Sequence, residues 1–137
     1  MTDSHSIGLR NDLAELHQLA DAIAQFGARN DLPAKRVGDL QLVMEELVVN
    51  AITHGFPQGG QHTIHIELRF EDECISARIT DDGIPFNPLQ AKPPDTTQSV
   101  ADRPIGGLGI HLVKMISDKL DHRREGNTNI LQVQIRL

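Results

Sequence analysis

The sequence predicts an α+β fold: a two-layer α/β sandwich whose mostly antiparallel sheet carries its helices on one face. Two observations lead to this fold class. Segments that alternate apolar and polar residues, typical of half-buried strands, occur in the middle and at the end of the chain. The overall order is βααββ, a long loop, then αββ, and helices kept apart from runs of strands are typical of α+β domains. A length of 137 residues fits one domain over 1–137.

A short edge strand is predicted over Ser6–Arg10, followed by a helix over about Asp12–Phe26. Asn11 is a favourable N-cap for that helix. Apolar residues recur along the segment at helical spacing: Leu13, Leu16, Ala20 and Ile23. The pattern therefore predicts an amphipathic helix that packs on the sheet.

The second helix is predicted to begin near Pro33, because proline suits the first turn of a helix, and to end at His54-Gly55. Its segment Leu40–Ile52 reads LQLVMEELVVNAI and is apolar on nearly every side. Such a helix is buried between other elements. The few polar residues within it therefore need a specific explanation.

Thr63–Phe70 alternates strictly between apolar and polar residues, which predicts a half-buried strand. A turn at 71–73 and a second alternating segment up to Ile79 complete a hairpin. After a later helix, Leu120–Arg124 forms a strand and residues 131–137 alternate again. Four strands of the sheet are therefore expected to form two hairpins.

The segment Pro85–Pro104 has no regular pattern and holds five of the seven prolines of the chain. A loop of this length in a compact domain is usually functional or disordered, and the glycines on either side suit a mobile cover over a site. Gly106-Gly107-Leu108-Gly109 follows it and precedes a helix. Backbone N–H groups at such a helix start converge on an anion; the alternative is a hinge that ends the loop.

The composition excludes several classes of function. Lys and Arg number 13 against 19 Asp and Glu, so the formal net charge is −6, and no basic run offers a surface for nucleic-acid phosphates. The single cysteine, Cys74, allows neither an internal disulfide nor a multi-cysteine metal site. No signal peptide and no apolar run of about 18 residues is visible. We expect a cytoplasmic protein that binds neither nucleic acid nor a membrane directly.

Glu46 and Asn50 are four positions apart and project from the same side of the second helix. Buried amide and carboxylate groups need partners. One interpretation is a ligand site, because an Asn oxygen near a carboxylate and phosphate oxygens suits Mg²⁺. The alternative, equally weighted on this motif alone, is that the two side chains bond to each other or cap a neighbouring loop.

Asp81-Asp82-Gly83-Ile84-Pro85 directly follows the second strand of the predicted hairpin. An acidic residue at a strand end can accept a hydrogen bond from an exocyclic amine, and the glycine allows a ring to approach the backbone. On its own, an Asp-Gly pair more often marks a plain turn. The pattern is informative only in combination with the other motifs.

Together, the helix Glu/Asn pair, the post-strand Asp-x-Gly and the Gly-rich helix start resemble the GHKL (Bergerat) ATP-binding fold shared by sensor histidine kinases and gyrase. The resemblance is closer to stand-alone anti-sigma factor serine/threonine kinases of the RsbW/SpoIIAB type. It spans about Asn11–Leu137. Four phrases carry it: EELVVNAITHGF from Glu45, DDGIPFNP from Asp81, GGLGIHLV from Gly106 and HRREGNTNIL from His122.

The resemblance implies a role for each matching residue. Glu46 would be the general base that activates the attacking hydroxyl, and Asn50 the Mg²⁺ ligand that bridges to the triphosphate of ATP. Asp81 would accept the adenine amine, with Gly83 beneath the base. His54 either contacts phosphate or ends the helix, and we favour the second interpretation. A further set would complete the nucleotide site: Pro85, Gly106, Gly107, Leu108, Gly109 and Thr128.

Two of these implied features depend on loops. An ATP lid would cover about residues 88–105. Thr128 would lie near the adenine, although the turn before it could shift that match by one residue. The lid and the Gly-rich helix start would together enclose the phosphates.

The chain shows no phosphoacceptor helices and no transducer domain, and so resembles kinases that phosphorylate a serine on a STAS-domain anti-anti-sigma protein. The resemblance, rather than any residue pattern, implies a sigma factor as a second partner and a homodimer. The expected function is an ATP-dependent protein serine/threonine kinase that regulates transcription by partner switching. The alternative is a non-catalytic, ATP-responsive binding module that controls a partner protein.

Overall fold

The computed structural model describes residues 2–90 and 107–137. The strands are β1 Asp3–Arg10, β2 Thr63–Glu71, β3 Cys74–Asp81, β4 Lys119–Glu125 and β5 Thr128–Arg136. They form one sheet in the order β1-β2-β3-β5-β4, and every neighbouring pair is antiparallel. The helices are α1 Leu16–Arg29, α2 Ala34–Gly55 and α3 Gly107–Ile116, with short 3-10 turns at Leu13–Glu15 and Pro88–Gln90. The predicted α+β sandwich is confirmed.

An aliphatic core joins one face of the sheet to the helices. Alternate strand residues are buried on that face, as a period of two requires: Ile64, Ile66, Leu68, Ile75, Ala77, Ile79, Leu131, Val133 and Ile135. α2 contributes a second set of buried side chains: Leu40, Val43, Met44, Leu47 and Val48. Phe26 of α1 adds a fully buried aromatic ring. The strand and helix patterns in the sequence therefore converge on one core.

α2 is 22 residues long and packs against both α1 and α3. This explains why its middle segment is apolar on nearly every side, since it is covered by helices as well as by the sheet. Across residues 2–90 and 107–137, no helix combines the length and the apolar character needed to cross a bilayer. Because α2 lies between α1 and α3 on the sheet, a buried polar residue within it, such as Asn50, needs a hydrogen-bond partner.

The start of α1 differs from the prediction. The Asp12 carboxylate, and not the Asn11 amide, accepts the capping bond, from the Ala14 N–H at 3.0 Å. One 3-10 turn then precedes the α-helix. The Asn11 side chain instead donates to the Gly60 carbonyl at 3.1 Å and accepts from the His62 N–H at 2.9 Å. The predicted Asn11 cap was wrong because this amide ties the end of β1 to the loop before β2.

Two carboxylates strengthen the connection between β1 and α1. Asp3 accepts hydrogen bonds from Asn30 and Arg29, which lower the pKa of its carboxyl, with the Asn30 bond as the largest cause. The pKa of Glu15 is lowered first by the Arg10 backbone N–H and then by the Arg10 side chain. The folded state therefore favours the charged form of both groups.

The central pairing of the sheet joins strands that are distant in sequence. β3 and β5 pair along their length, from Cys74 opposite Arg136 to Asp81 opposite Asn129. The chain between them, residues 82–127, includes α3 and β4. The predicted lid over 88–105 belongs to this connection, and its residues from 91 onward lie outside the described part of the chain.

The packing of α1 on α2 predicts the effect of a glycine substitution. A Cβ at Gly27 would lie 2.6 Å from the Val37 Cγ2. We expect Gly27→Ala to lower the free energy of unfolding by about 1–3 kcal/mol, although alanine favours helix formation. Urea denaturation of the full chain measures it, and adding Val37→Ala should restore part of the loss.

Gly38 offers a matched control. It lies within α2, and a Cβ there would have no neighbour within 4 Å. Gly38→Ala should therefore raise the free energy of unfolding by up to about 1 kcal/mol through helix propensity alone. Equal effects of the two substitutions would contradict close packing at Gly27.

Candidate functional site

Glu46 and Asn50 lie on one side of α2, as the spacing predicts. Asn50 is 9% exposed and Glu46 is half-buried. Asn50 Nδ2 donates to the Glu46 backbone carbonyl at 2.8 Å and to Glu46 Oε1 at 3.3 Å. The mutual bond foreseen as the alternative is thus present, but it is the longer of the two. Both bonds use the amide nitrogen, so they leave Asn50 Oδ1 available to a further partner.

The first turn of α3 lies directly against Glu46. A Cβ built at Gly109 would overlap the Glu46 carboxylate. A side chain at this position would displace the Glu46 carboxylate, and the helix N-terminus adds partial positive charge beside the carboxylate. Two motifs that are far apart in the sequence therefore meet here. Gly107 begins α3, whereas Gly106 and the Leu108 side chain lie outside the described residues.

Asp81 ends β3 and is 7% exposed. Its Oδ1 accepts hydrogen bonds from the Gly83 N–H at 2.9 Å and from Asn129 Nδ2 at 3.0 Å. The next residue in the turn, Ile84, donates its N–H to the Gly55 carbonyl at 2.8 Å. The carboxylate is thereby held at the end of α2, with its second oxygen available to a ligand.

Gly83 fits closely between α2 and Asp81. A Cβ there would lie 2.6 Å from the Gly55 carbonyl oxygen and 2.9 Å from Asp81 Oδ1. The Gly83 carbonyl in turn accepts a hydrogen bond from Arg124 Nη1 at 2.7 Å. The Asp-x-Gly segment is therefore a packed turn that is bonded on both sides, rather than a loose surface turn.

A narrow cleft lies beside Asp81, between the end of α2 and the sheet, with a volume of about 10 Å³, room for about one water molecule. Its lining is mostly apolar, with a carboxylate and a carboxamide at one place: Leu47, Ala51, Gly55, Phe86, Pro88, Leu131, Asp81 and Asn129. A mostly apolar cleft with few polar groups suits a flat, partly polar ring. In its chemistry the lining therefore suits a heterocycle that presents a hydrogen-bond donor to Asp81, and the lining residues must move apart to admit one.

Among the predicted site residues that the structure describes, Asp81 lines this cleft, whereas Glu46, Asn50 and Gly83 do not. His54, Pro85 and Thr128 also lie outside its lining. His54 is exposed in the last turn of α2, and its ring stacks on Phe86 with centroids 4.9 Å apart. Pro85 is exposed in the turn. Thr128 points to the other face of β5, where it lines an open hollow with His62.

Two site residues were missed by the sequence reasoning: Asn129 and Arg124. Both belong to the second hairpin, where they are paired with each other across the strands. Asn129 Nδ2 also donates to the Ile84 carbonyl at 2.8 Å. The signal that could have revealed Asn129 is its inward position in β5, in register with the buried Leu131, Val133 and Ile135. A polar residue in such a row needs a partner.

The described part of the chain contains no metal site built from several acidic, histidine or cysteine side chains. Within it, no three His, Cys, Asp or Glu side chains are grouped closely enough to bind one.

A family model described as a histidine kinase-like ATPase domain matches residues 9–135. Among curated proteins, the serine/threonine-protein kinase BtrW of Bordetella bronchiseptica is 32% identical over 92 residues, which are 67% of this chain and 65% of that protein. The anti-sigma F factor of Lysinibacillus sphaericus is 29% identical over 112 residues, 78% of this chain and 75% of that protein. The match thus spans somewhat less than two thirds of the Bordetella protein.

Two solved structures share the fold. The RsbU and RsbW domains of a Mycobacterium tuberculosis protein match with a TM-score of 0.68 at 12% identity, over 98% of this chain and 32% of that one. The histidine kinase domain of a blue-light activated kinase from Erythrobacter litoralis matches with a TM-score of 0.58 at 17% identity, over 91% of this chain and 60% of that one. The resemblance to GHKL proteins of the RsbW/SpoIIAB type is confirmed.

The packing of Gly83 predicts that the turn tolerates no side chain there. Gly83→Ala should lower the free energy of unfolding by about 1–3 kcal/mol, because its Cβ meets the backbone of Gly55 rather than a flexible side chain. Urea denaturation checks this. Ile84→Ala is the control, since it removes an exposed side chain and keeps the backbone bonds. Equal stability of Gly83→Ala and the wild type would contradict the packed turn.

Proposed function

The chain belongs to the histidine kinase-like ATPase domain family, and from this premise we propose that it is an ATP-dependent protein serine/threonine kinase acting on a STAS-domain anti-anti-sigma protein. By this reaction it would regulate transcription through partner switching. One observation carries the proposal: the Glu46–Asn50 pair on α2 meets the Gly-rich start of α3 at Gly109. The names of the relatives, a serine/threonine-protein kinase and anti-sigma F factors, support the same reaction class.

The cleft residues suit the base of ATP. Asp81 would accept a hydrogen bond from the exocyclic amine of adenine, and Leu47, Ala51 and Leu131 would contact the ring. Gly83, in the turn that follows Asp81, would lie beneath the ring, as the family resemblance implies. The triphosphate would then extend toward α3, where backbone N–H groups and the partial charge of the helix N-terminus favour an anion.

Asn50 fits a role as a ligand of Mg²⁺. Its carboxamide is buried, and its Oδ1 is not used in either bond to Glu46. Amide and phosphate oxygens are the hard ligands that Mg²⁺ prefers, and the ion commonly binds through few protein groups plus phosphates. When bound, Mg²⁺ neutralises developing charge on the phosphate oxygens. That contribution matters in a chain with a net charge of −6.

Glu46 would be the general base. Its half-buried carboxylate would accept the proton of the substrate serine hydroxyl as the serine oxygen bonds to the γ-phosphorus. The bond from that phosphorus to the β–γ bridging oxygen breaks, and ADP leaves with the electron pair. The long bond from Asn50 Nδ2 would orient the carboxylate without neutralising it. Positioning and charge are the main requirements of phosphoryl transfer.

The proposal extends to partners. A sigma factor would be the second partner, and a homodimer and a cytoplasmic location are part of the same proposal. The lid over 88–105 would close on the nucleotide and carry its state to the partner surface. Nucleic acid is not among the proposed partners, because the acidic chain offers no basic run.

Replacing Glu46, the proposed general base, should abolish phosphoryl transfer and leave Mg·ATP binding intact. Glu46→Gln keeps the shape of the side chain but cannot take a proton, so the transfer rate should fall by at least about 10²-fold. The assay follows ³²P from [γ-³²P]ATP to STAS-domain proteins of the source organism. Glu45→Gln is the matched control, since Glu45 is exposed one residue away. If wild type and Glu46→Gln both bind Mg·ATP and neither transfers phosphate, the kinase proposal is wrong and the ATP-responsive module stands.

Replacing Asn50, the proposed Mg²⁺ ligand, should abolish the effect of Mg²⁺ on the affinity for ATP. In wild type, titration calorimetry should find tighter ATP binding with Mg²⁺ than with EDTA. In Asn50→Ala the two affinities should be within about twofold, because the protein no longer contacts the ion. Asn50→Asp keeps an oxygen ligand and should retain the dependence. A magnesium effect that survives in a folded Asn50→Ala would exclude Asn50 as the ligand.

A further inference from the structure

One strip of the surface of α2 lies open to solvent between its contacts with the two neighbouring helices. On one side, Gln41 Nε2 donates to the Ala20 carbonyl of α1 at 2.9 Å. On the other side, Gly109 of α3 lies against the Glu46 carboxylate. We call the exposed and half-buried residues between these contacts the outer strip of α2: Leu42, Glu45, Glu46, Val49 and Thr53. The proposed general base therefore lies at the edge of an accessible surface.

Leu42 is the exposed apolar side chain of the outer strip. It is 44% exposed and lies one helical turn before Glu46. Residues three or four apart on a helix are neighbours, with Cβ atoms about 5–6 Å apart. Val49, three positions after Glu46, is half-buried. Isolated exposed leucines are common on protein surfaces, so the significance of Leu42 comes from its position next to the proposed base.

The reaction limits where the protein substrate can lie. A serine hydroxyl that gives its proton to Glu46 must come within about 3 Å of that carboxylate. The residues next to the serine then contact the surface around Glu46. Four residues of helix place Leu42 about 6 Å from Glu46 along the axis of α2. In an extended segment, residues two positions apart point to the same side and are about 7 Å apart. The two spacings match.

The charge of the outer strip also limits the chemistry of the substrate. Glu45 is exposed and Glu46 is half-buried, and none of the five residues of the strip is basic. Like charges across an interface are unfavourable. A segment with acidic residues beside its serine would therefore be repelled, whereas apolar residues there could pack against Leu42.

We propose that Leu42 is a docking residue for the segment of the protein substrate that carries the acceptor serine. This segment is extended and not acidic, and it has an apolar side chain two positions from the serine. When the serine hydroxyl lies at Glu46, that apolar side chain contacts Leu42. The inference rests on the proposed function, because it assumes that Glu46 accepts the proton of a serine.

The contact at Leu42 contributes to binding alone. A leucine side chain can neither accept a proton nor stabilise charge, so the contact is equally strong before and during phosphoryl transfer. The loss of such a contact raises KM and leaves kcat unchanged. Leu137 is a matched control because it is 43% exposed and its N–H bonds to the Glu73 carbonyl, at the end of β3 opposite to Asp81.

The first test uses the full chain and a STAS-domain protein of the source organism that the wild type phosphorylates. Leu42→Ala should raise the KM for that protein about tenfold. Its kcat and its affinity for Mg·ATP should change by less than about twofold. Leu137→Ala should behave as the wild type does. An unchanged KM in Leu42→Ala, or a fall in kcat or in Mg·ATP affinity instead, would overturn the inference.

A substitution in the substrate tests the pairing directly. Replacing the apolar residue two positions from the acceptor serine by alanine should raise KM about tenfold with the wild-type kinase. With Leu42→Ala the same replacement should change KM by less than about twofold, because its contact is already lost. Equal effects with the two kinases, or a substrate with no apolar residue at that spacing, would contradict the proposed contact.

Crosslinking measures the contact without relying on kinetics. The variant Leu42→p-benzoylphenylalanine, irradiated with the substrate protein and Mg·ADP, should become linked to the peptide that contains the acceptor serine, and Leu137→p-benzoylphenylalanine should not. A link from position 42 to another part of the substrate would overturn the inference and leave the proposed function intact. If the wild type transfers phosphate to no STAS-domain protein of the source organism, the proposed function itself is wrong.

Discussion

The geometry of the candidate site depends on one contact between the two layers of the fold. The Gly55 carbonyl, at the end of α2, accepts the Ile84 N–H, and Gly83 lies against the same oxygen. This contact holds the turn that follows β3 against the helix that carries Glu46 and Asn50. A Cβ at Gly83 would lie 2.6 Å from that oxygen, so a side chain there would separate the layers, whereas a Cβ at Gly55 would lie 4.0 Å from the Gly83 Cα, an ordinary contact. The cleft exists only while they stay joined.

The polar groups of the cleft are organised around this contact. Asp81 is buried with its charge opposed by two N–H donors, and Asn129 and Arg124 bind the backbone of the same turn. Buried carboxylates need such support. The same arrangement leaves single oxygens unused at Asp81, Asn50 and Asn129. At Asp81 and Asn50 the unused oxygen is available as an acceptor or ligand atom, whereas the Asn129 oxygen is fully buried.

Much of the fold was predictable because buried positions recur with a fixed period along a strand or helix, and apolar residues in the sequence follow that period. The alternation in β2, β3 and β5 and the apolar middle of α2 predicted the elements and their order, and boundaries shifted by only a few residues. The cap of α1 was not predictable in this way. Asn11 and Asp12 are both good caps, and the choice depends on the contact of Asn11 with Gly60, which is distant in sequence.

The site was predictable only in part, for the same reason. Spacing on one helix placed Glu46 beside Asn50, but the approach of Gly109 to Glu46 is a tertiary contact that no periodicity reveals. The resemblance to a known family supplied it. Neighbouring strand residues point to opposite faces, so Thr128 lines a hollow with His62 and Asp81, while the next residue, Asn129, lines the cleft.

The pairing of β3 with β5 has a consequence for how proteins of this shape diversify. The two strands are paired along their whole length, so residues 82–127 form one long connection between them. The entropic cost of closing a longer connection is small, about 0.6 kcal/mol for each doubling of its length. A change in chain length after the packed turn at 82–84 and before α3 therefore carries little entropic penalty for the sheet. The number of residues there can vary between related proteins while the pairing of the two strands is kept.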